Sequence, residues 1–254
     1  MFLFVFPFKE YEAKVIVTSK LKYFSLIKEK LNDNRRKLFR STCFGGWLDI
    51  LFFEPEPHML DYILKTQGYV DKAQYDMPLI YNVDGRSLHF GRPEFALITG
   101  FRFGNVNFDL YRSREVKLKS RLFPKKIEVK LTNLDLLGVI EDEELFGKIS
   151  DEDAIRVCLL FVYEVIFLGR LLVEDISDAL VRLVDDLDGW NSFPWGEHIW
   201  QHLYRQLLNV VSNHRWEHLK GLKNDRKYVP TYTIKGFVWA FKVIPKSITS
   251  FLNF

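Results

Sequence analysis

Cysteine is almost missing from this chain: Cys43 and Cys158 are the two in 254 residues, too few for a disulfide framework, and a reducing compartment is implied. No apolar run reaches the roughly 18 to 20 residues of a membrane span. The longest, Ile155 to Leu168, contains Arg156 and Glu164 and is expected to be a buried core helix, so no membrane partner is called. The opening segment, residues 1–9, is apolar, but it lacks a basic start and a small-residue cleavage site and is interrupted by Pro7. It makes a poor signal peptide, and an intracellular protein is expected. Charge of one sign is also lacking: the formal net of +3 gives no average field that calls for a polyanion partner. No glycine-rich phosphate loop follows a predicted strand, which removes the common nucleotide-binding signatures, and no cofactor is called. Neither a repeat period nor a low-complexity linker divides the chain, so residues 10–242 read as a single module.

What is present is apolar and aromatic. Hydrophobic residues make up 48% and aromatics 16%, with 23 Phe, far more than a chain held open by charge carries. The fold class read from the patterning is mainly α, a helical α+β domain with one small antiparallel hairpin near residues 78–90. In that hairpin two runs flank Asp84-Gly85, a dipeptide that accepts the positive φ of a type I′ turn. The turn sets the register. Leu79, Tyr81 and Val83 pair with Phe90, Leu88 and Arg86, while Ile80 and Asn82 face His89 and Ser87, leaving His89 toward solvent. A short helix with Pro93 in its first turn and Gly100 just past its end follows. Ser150-Asp-Glu-Asp153 opens a helix over 151–168 closed by Gly169, Ser177 caps one ending near Leu187 and Gly189, and a third spans Glu197 to His218.

Two stretches are locally basic. Residues 20–40 hold eight Lys or Arg against Glu29 and Asp33, and residues 111–130 hold eight against Glu115 and Glu128, a net of +6 each. In the first, Leu21, Phe24, Ile27 and Leu31 recur at helical spacing. If Lys28, Arg35, Arg36, Lys125 and Lys126 share a surface, they form a nucleic-acid patch whose binding falls steeply with salt. The blander reading is neutralisation by the acidic run at residues 141–153.

Catalytic chemistry finds short signals. His214, Glu217 and His218 match the H-x-x-E-H spacing in which two His hold zinc and a Glu activates water, but no third ligand is specified. His198 and His202 also sit four apart, on a polar stripe where solvated histidines belong. Cys43 lies beside glycines without an activating base, and Cys158 sits where a small core residue is expected. Residues 235–241 carry aromatics on which bases could stack, at spacing that suits a core segment better. Glu164, in the most apolar helix, needs an Arg partner or a raised pKa. Trp190, Phe193, Trp195 and Trp200 read as core around a Pro-Gly loop.

Pro78-Leu-Ile-Tyr-Asn-Val-Asp-Gly-Arg-Ser-Leu-His-Phe-Gly-Arg-Pro-Glu-Phe-Ala-Leu-Ile-Thr-Gly-Phe-Arg-Phe-Gly104, Ile149 to Arg156, Val165 to Leu172, Trp190 to Trp200 and Val229 to Thr233 together resemble a plant family, the domain of unknown function nineteen-eighty-five. The resemblance covers roughly residues 10–242. It implies a module of genes related to Mutator-like transposable elements, found ahead of a SUMO-protease-type (Ulp-like) peptidase domain, with a nuclear setting and no established activity. Some relatives are labelled phospholipase-like, yet this sequence has no G-x-S-x-G elbow, and the peptidase's cysteine context is absent as well. Residues 243–254 depart from the family pattern and read as a truncated tail. The reading taken forward is a non-enzymatic accessory domain with a protein partner. Nucleic-acid association is the first alternative and metal hydrolysis the second.

Overall fold

The computed structural model describes residues 11–50, 57–72, 74–83, 85–112 and 115–240. The apolar opening, Asp84 of the hairpin turn, Arg114 of the second basic stretch, and the tail from residue 241 lie outside the described residues. In chain order the elements begin with β1 (Lys14–Val17), α1 (Lys22–Lys30), α2 (Asp33–Arg40) and α3 (Pro57–Lys65). The hairpin β2 (Leu79–Val83) and β3 (Arg86–Phe90) comes next, with α4 (Arg92–Thr99), α5 (Lys117–Leu122), α6 (Asn133–Glu141) and α7 (Glu143–Lys148). The last group is α8 (Asp151–Phe161), α9 (Asp178–Asp185), α10 (Leu187–Ser192), α11 (Trp195–Leu207), α12 (Val210–Asn224) and β4 (Thr231–Ile234). The fold is mainly α with a small antiparallel hairpin, as the patterning implies. Its described residues cluster into two compact units, one from 11–18, 57–100 and 196–240, the other from 19–50 and 101–195.

In the first unit the hairpin pairs in the expected register, Leu79 with Phe90 through Val83 with Arg86. Period two puts Leu79, Tyr81 and Phe90 in the core and leaves Ile80 and His89 exposed. Gly85 supplies the positive φ of 76° at the turn. Helix α4 starts where the Glu94 carboxylate accepts from Gly91 N at 2.8 Å and ends at Gly100 with φ 69°. Phe90 and Phe95 pack on Trp200 at centroid distances of 5.3 and 5.7 Å. A parallel pairing of β1 with β4, Lys14 opposite Thr231 through Val17 opposite Ile234, is an addition to the sequence reading.

The helix expected over Glu197 to His218 is instead two, broken at Asn209, whose φ is 50°. Three hydrogen bonds impose that left-handed conformation. Its side chain accepts from Val70 N at 3.0 Å and donates to Val70 O at 2.7 Å, while its own N–H donates to Gln67 Oε1 at 2.6 Å. Asn tolerates the αL region better than most residues, so the local cost is small against three bonds.

In the second unit Leu21, Phe24, Ile27 and Leu31 are all buried, on α1 and the two residues that flank it. Asn32 then caps α2 by accepting from Arg35 N at 2.9 Å. Helix α8 opens with Ser150 accepting from Asp153 N and three acids in its first turn, favourable at the positive end of the helix dipole. Beyond Phe161 it widens into a π-turn, Val162–Phe167, before Gly169 at φ 64° closes it. The helix expected from Ser177 to Leu187 ends earlier. Asp186 accepts from Gly189 N at 2.9 Å and caps a new helix, so Gly189 lies inside α10 and is no stop signal. The aromatic cluster is core: Trp190 and Trp195 are buried, with rings 4.4 Å apart and Phe44 against both.

Candidate functional site

Acids in the first turn of α8 draw arginines from neighbouring helices. Asp153 accepts two parallel bonds from Arg121, 2.8 Å from Nε and 2.7 Å from Nη2, and a third from Arg156 at 2.8 Å. Burial pushes the Asp153 carboxyl up, but the hydrogen bonds from Arg121 and Arg156 outweigh it and hold it below the usual carboxylate range. Arg121 also reaches Asp185 of α9 at 2.9 Å, and its guanidinium pKa is raised by the Asp153 and Asp185 bonds. These groups, with Lys117, Glu152 and Arg182, line a hollow of about 690 Å³. A second hollow of about 460 Å³ is lined by Arg112, Lys130, Arg170 and Arg182 together with Ser177 and Asp178 at the start of α9. Arg182 borders both.

Arg170 ties the second hollow to the π-turn. Its guanidinium lies 3.0 Å from Glu164 and 3.0 Å from Glu174. The π-turn carries Glu164 into the core at 1% exposure, and Arg170 N donates back to Glu164 O at 2.9 Å. Burial pushes the Glu164 carboxyl up to about 7, against the pull of Arg170. The Arg partner that the sequence calls for is therefore present, together with the raised pKa. π-Turns recur at functional positions. Beside it Asn133 is buried, donating to Leu171 O while its Oδ1 has no partner among the described residues.

The residues of the anticipated nucleic-acid patch are mostly engaged. Lys28 pairs with Asp49 at 2.8 Å, Arg36 with Asp33 at 3.2 Å and Lys126 with Asp135 at 2.6 Å. Arg35 is a correction. Packing leaves it 4% exposed, bonded to Asp151 and to the carbonyls of Phe146 and Ile149, so it presents nothing to a ligand. Lys125 is exposed. The acidic run supplies part of the counter-charge, through Glu143 to Lys30, Asp151 to Arg35 and Asp153 to Arg121.

His214 and Glu217 are exposed, whereas His218 is buried against Tyr11, Tyr228 and Tyr232. The His214 ring bonds Val210 O. Among the described residues no group of three His, Cys, Asp or Glu side chains is placed to hold a metal. His198 corrects the expectation of a solvated pair: it is partly buried, and burial, with His202 and Arg205 nearby, lowers its pKa to about 4. Cys43 is held by Asn191 and Trp190, and burial pushes both the Cys43 and the Cys158 thiol up to about 12. No helix among the described residues is long and apolar enough to cross a membrane.

The sequence pattern of the family described as Domain of unknown function (DUF1985) matches residues 70–206. This chain belongs to the DUF1985 family. No curated protein and no solved structure matches it. The DUF1985 match is narrower than the resemblance read from the sequence. It takes in both hollows, while Lys28, Arg35 and Arg36 lie before it and His214, Glu217 and His218 after it. Two of the family-like segments meet inside it: Arg92 of the Gly-Arg-Pro-Glu turn bonds Glu197 of the Trp-Gly-Glu-His segment at 2.5 Å and Asp76 at 3.0 Å. Sequence reasoning missed Arg170 and Arg182. Arg170 follows Glu164 by six residues, a spacing that meets here because the chain reverses at Gly169 just past the π-turn, and Arg182 sits among enough acids to look neutralised.

Proposed function

We propose that this chain is a non-enzymatic accessory domain that binds an acidic segment of a protein partner. Its setting is the one the resemblance implies, a transposon-derived, nuclear plant gene of the kind that carries a SUMO-protease-type peptidase, a module that lies outside these residues. The observation that carries the reading is unused positive charge in a concave surface. Among the described residues the side chains of Arg182 and Lys130 make no ion pair or hydrogen bond, and both line the 460 Å³ hollow. Cations held at a hollow without internal partners steer and orient an anionic ligand.

Thiol chemistry argues the same way. A thiol with a pKa of about 12 is a thiolate in only about one molecule in 10⁵ at neutral pH, and the thiolate is the nucleophile. Iodoacetamide at pH 7.5 will therefore label neither cysteine of the folded chain while labelling both in urea, as read by intact mass. Rapid labelling of Cys43 in the folded chain would reopen a catalytic role.

Binding is tested by fluorescence anisotropy with a Glu-rich peptide. The chain will bind it with an affinity that falls as salt rises, and Lys130→Ala and Arg182→Ala will each weaken it about tenfold, the size of a charge-assisted contact worth about 1.4 kcal/mol. Equal binding of a neutral peptide, or undiminished binding by the variants, would remove this reading. Displacement of the peptide by double-stranded DNA at physiological salt would favour nucleic-acid association instead.

A further inference from the structure

We infer that the hollow lined by Lys130, Arg170 and Arg182 is a phosphate monoester site. The inference rests on the reading of this surface as one that binds an anionic segment, and it names the chemistry the surface prefers. Four cationic side chains, Arg112, Lys130, Arg170 and Arg182, face two carboxylates, Asp175 and Asp178; Arg112 and Arg170 are paired with acids behind the lining, so Lys130 and Arg182 supply the unpaired positive charge. A carboxylate supplies one negative charge. A phosphate monoester supplies 1.5 to 2 near neutral pH and offers three acceptor oxygens.

The donors differ in how free they are. Arg182 has a buried Nε without a hydrogen-bond partner among the described residues, so its guanidinium is partly desolvated without being satisfied, and a guanidinium presents a fork that matches two phosphate oxygens. Lys130 is exposed and unpartnered among the described residues and can reach as a point charge. Arg112 is held by Asp109 at 2.7 Å, both well exposed, a pairing that water already competes for. Arg170 is oriented by Glu164 and Glu174 and contributes direction more than net charge. The Ser177 hydroxyl makes no capping bond to α9 and remains a donor. Asp178 sits 3.5 Å from Lys119, which offsets its repulsion. Asp175 repels any anion, a phosphate more than a carboxylate, and is opposed by the unpaired charges of Lys130 and Arg182.

The test uses isothermal titration of the full chain with a decapeptide carrying one phosphoserine, its unphosphorylated twin, the Glu-rich peptide and inorganic phosphate. The phosphopeptide will bind at least tenfold tighter than its twin, Arg182→Ala and Lys130→Ala will each lose at least tenfold, and Lys125→Ala will bind as the native chain does. Arg182→Lys, which keeps charge and stem without the fork, will be intermediate. This second variant separates recognition from any packing defect. Inorganic phosphate binding as tightly as the phosphopeptide supports the site and assigns it to the free ion; weaker phosphate binding assigns it to a phosphorylated side chain. If the Glu-rich peptide binds while phosphorylation adds nothing, the phosphate site is overturned and the acidic-segment reading stands. If no anionic probe binds, both fall.

Discussion

Replacing Glu164 by Gln will leave stability near pH 4.5 almost unchanged and raise it at pH 8 by up to roughly 3 kcal/mol. The size follows from a carboxyl that titrates near 7 in the fold against 4.5 ordinarily, at about 1.36 kcal/mol per unit. The sign follows from proton counting. Between those two values the folded state holds more protons than the unfolded one, so the native chain loses stability as pH rises through 7. Below 4.5 both states are protonated, and Glu164 is then a neutral buried group of almost the shape of Gln. His198 acts oppositely: its pKa near 4, lowered from 6.5 chiefly by burial, makes stability rise with pH between those values. The native profile alone is therefore flattened, and the difference between native and variant chains isolates Glu164. Urea unfolding at pH 4.5, 6 and 8 reads it. A variant less stable than the native chain at pH 8 would mean that the attraction of Arg170 exceeds the cost of burying the charge.

The contrast between Glu164 and its surroundings also shows what a sequence reveals. A carboxylate among Tyr163, Val165 and Ile166 must be compensated, and that need is legible; the identity of the partner is not, because a regular helix would turn residue 170 away from residue 164. The hairpin was legible in full, since a tight turn and period-two alternation together leave one register that buries Leu79, Tyr81 and Phe90. The parallel pairing of Lys14–Val17 with Thr231–Ile234 has no such local signal: four residues at each end of the chain meet without a turn to announce them. Helix breaks failed for a related reason. Gly189 reads as a stop and Asn209 carries no break signal of its own, but Asp186 and the Val70 backbone decide those places, and both act through geometry that periodicity does not encode. Arg182 was hidden because Asp178, Asp185 and Asp186 surround it in sequence, while in the fold Asp185 is taken by Arg121 and Asp178 lies toward Lys119.

Arg35→Ala will cost about 2 to 4 kcal/mol of stability, from carbonyls left without a donor and the void behind the lost side chain, whereas Lys125→Ala will change stability by less than about 0.5 kcal/mol, as surface substitutions do. Both residues stand in strongly basic stretches, and composition alone treats them alike. Arg35 donates from Nε to Asp151, from Nη1 to Phe146 O and from Nη2 to Ile149 O, each at 2.7 Å, with its guanidinium 5.0 Å from the Phe146 ring centroid. Truncation strands two carbonyls, at about 1 to 3 kcal/mol for each buried polar group left unsatisfied, and opens a void beside Phe146. Asp151 contributes less to the loss because its side chain is 42% exposed and can turn to water. Arg35→Lys will recover only part, since one ammonium on a single stem cannot reach three acceptors set in a fork. Urea unfolding of the three variants decides it. An Arg35→Ala chain within about 1 kcal/mol of native would mean that the junction of α7 and α8 is held by other contacts and that Arg35 is free to serve a ligand. The expected ordering, Ala far below Lys and Lys below native, would make the first basic stretch a device that fastens α2 to the acidic run through buried bonds, leaving its exposed lysines as the part that meets solvent.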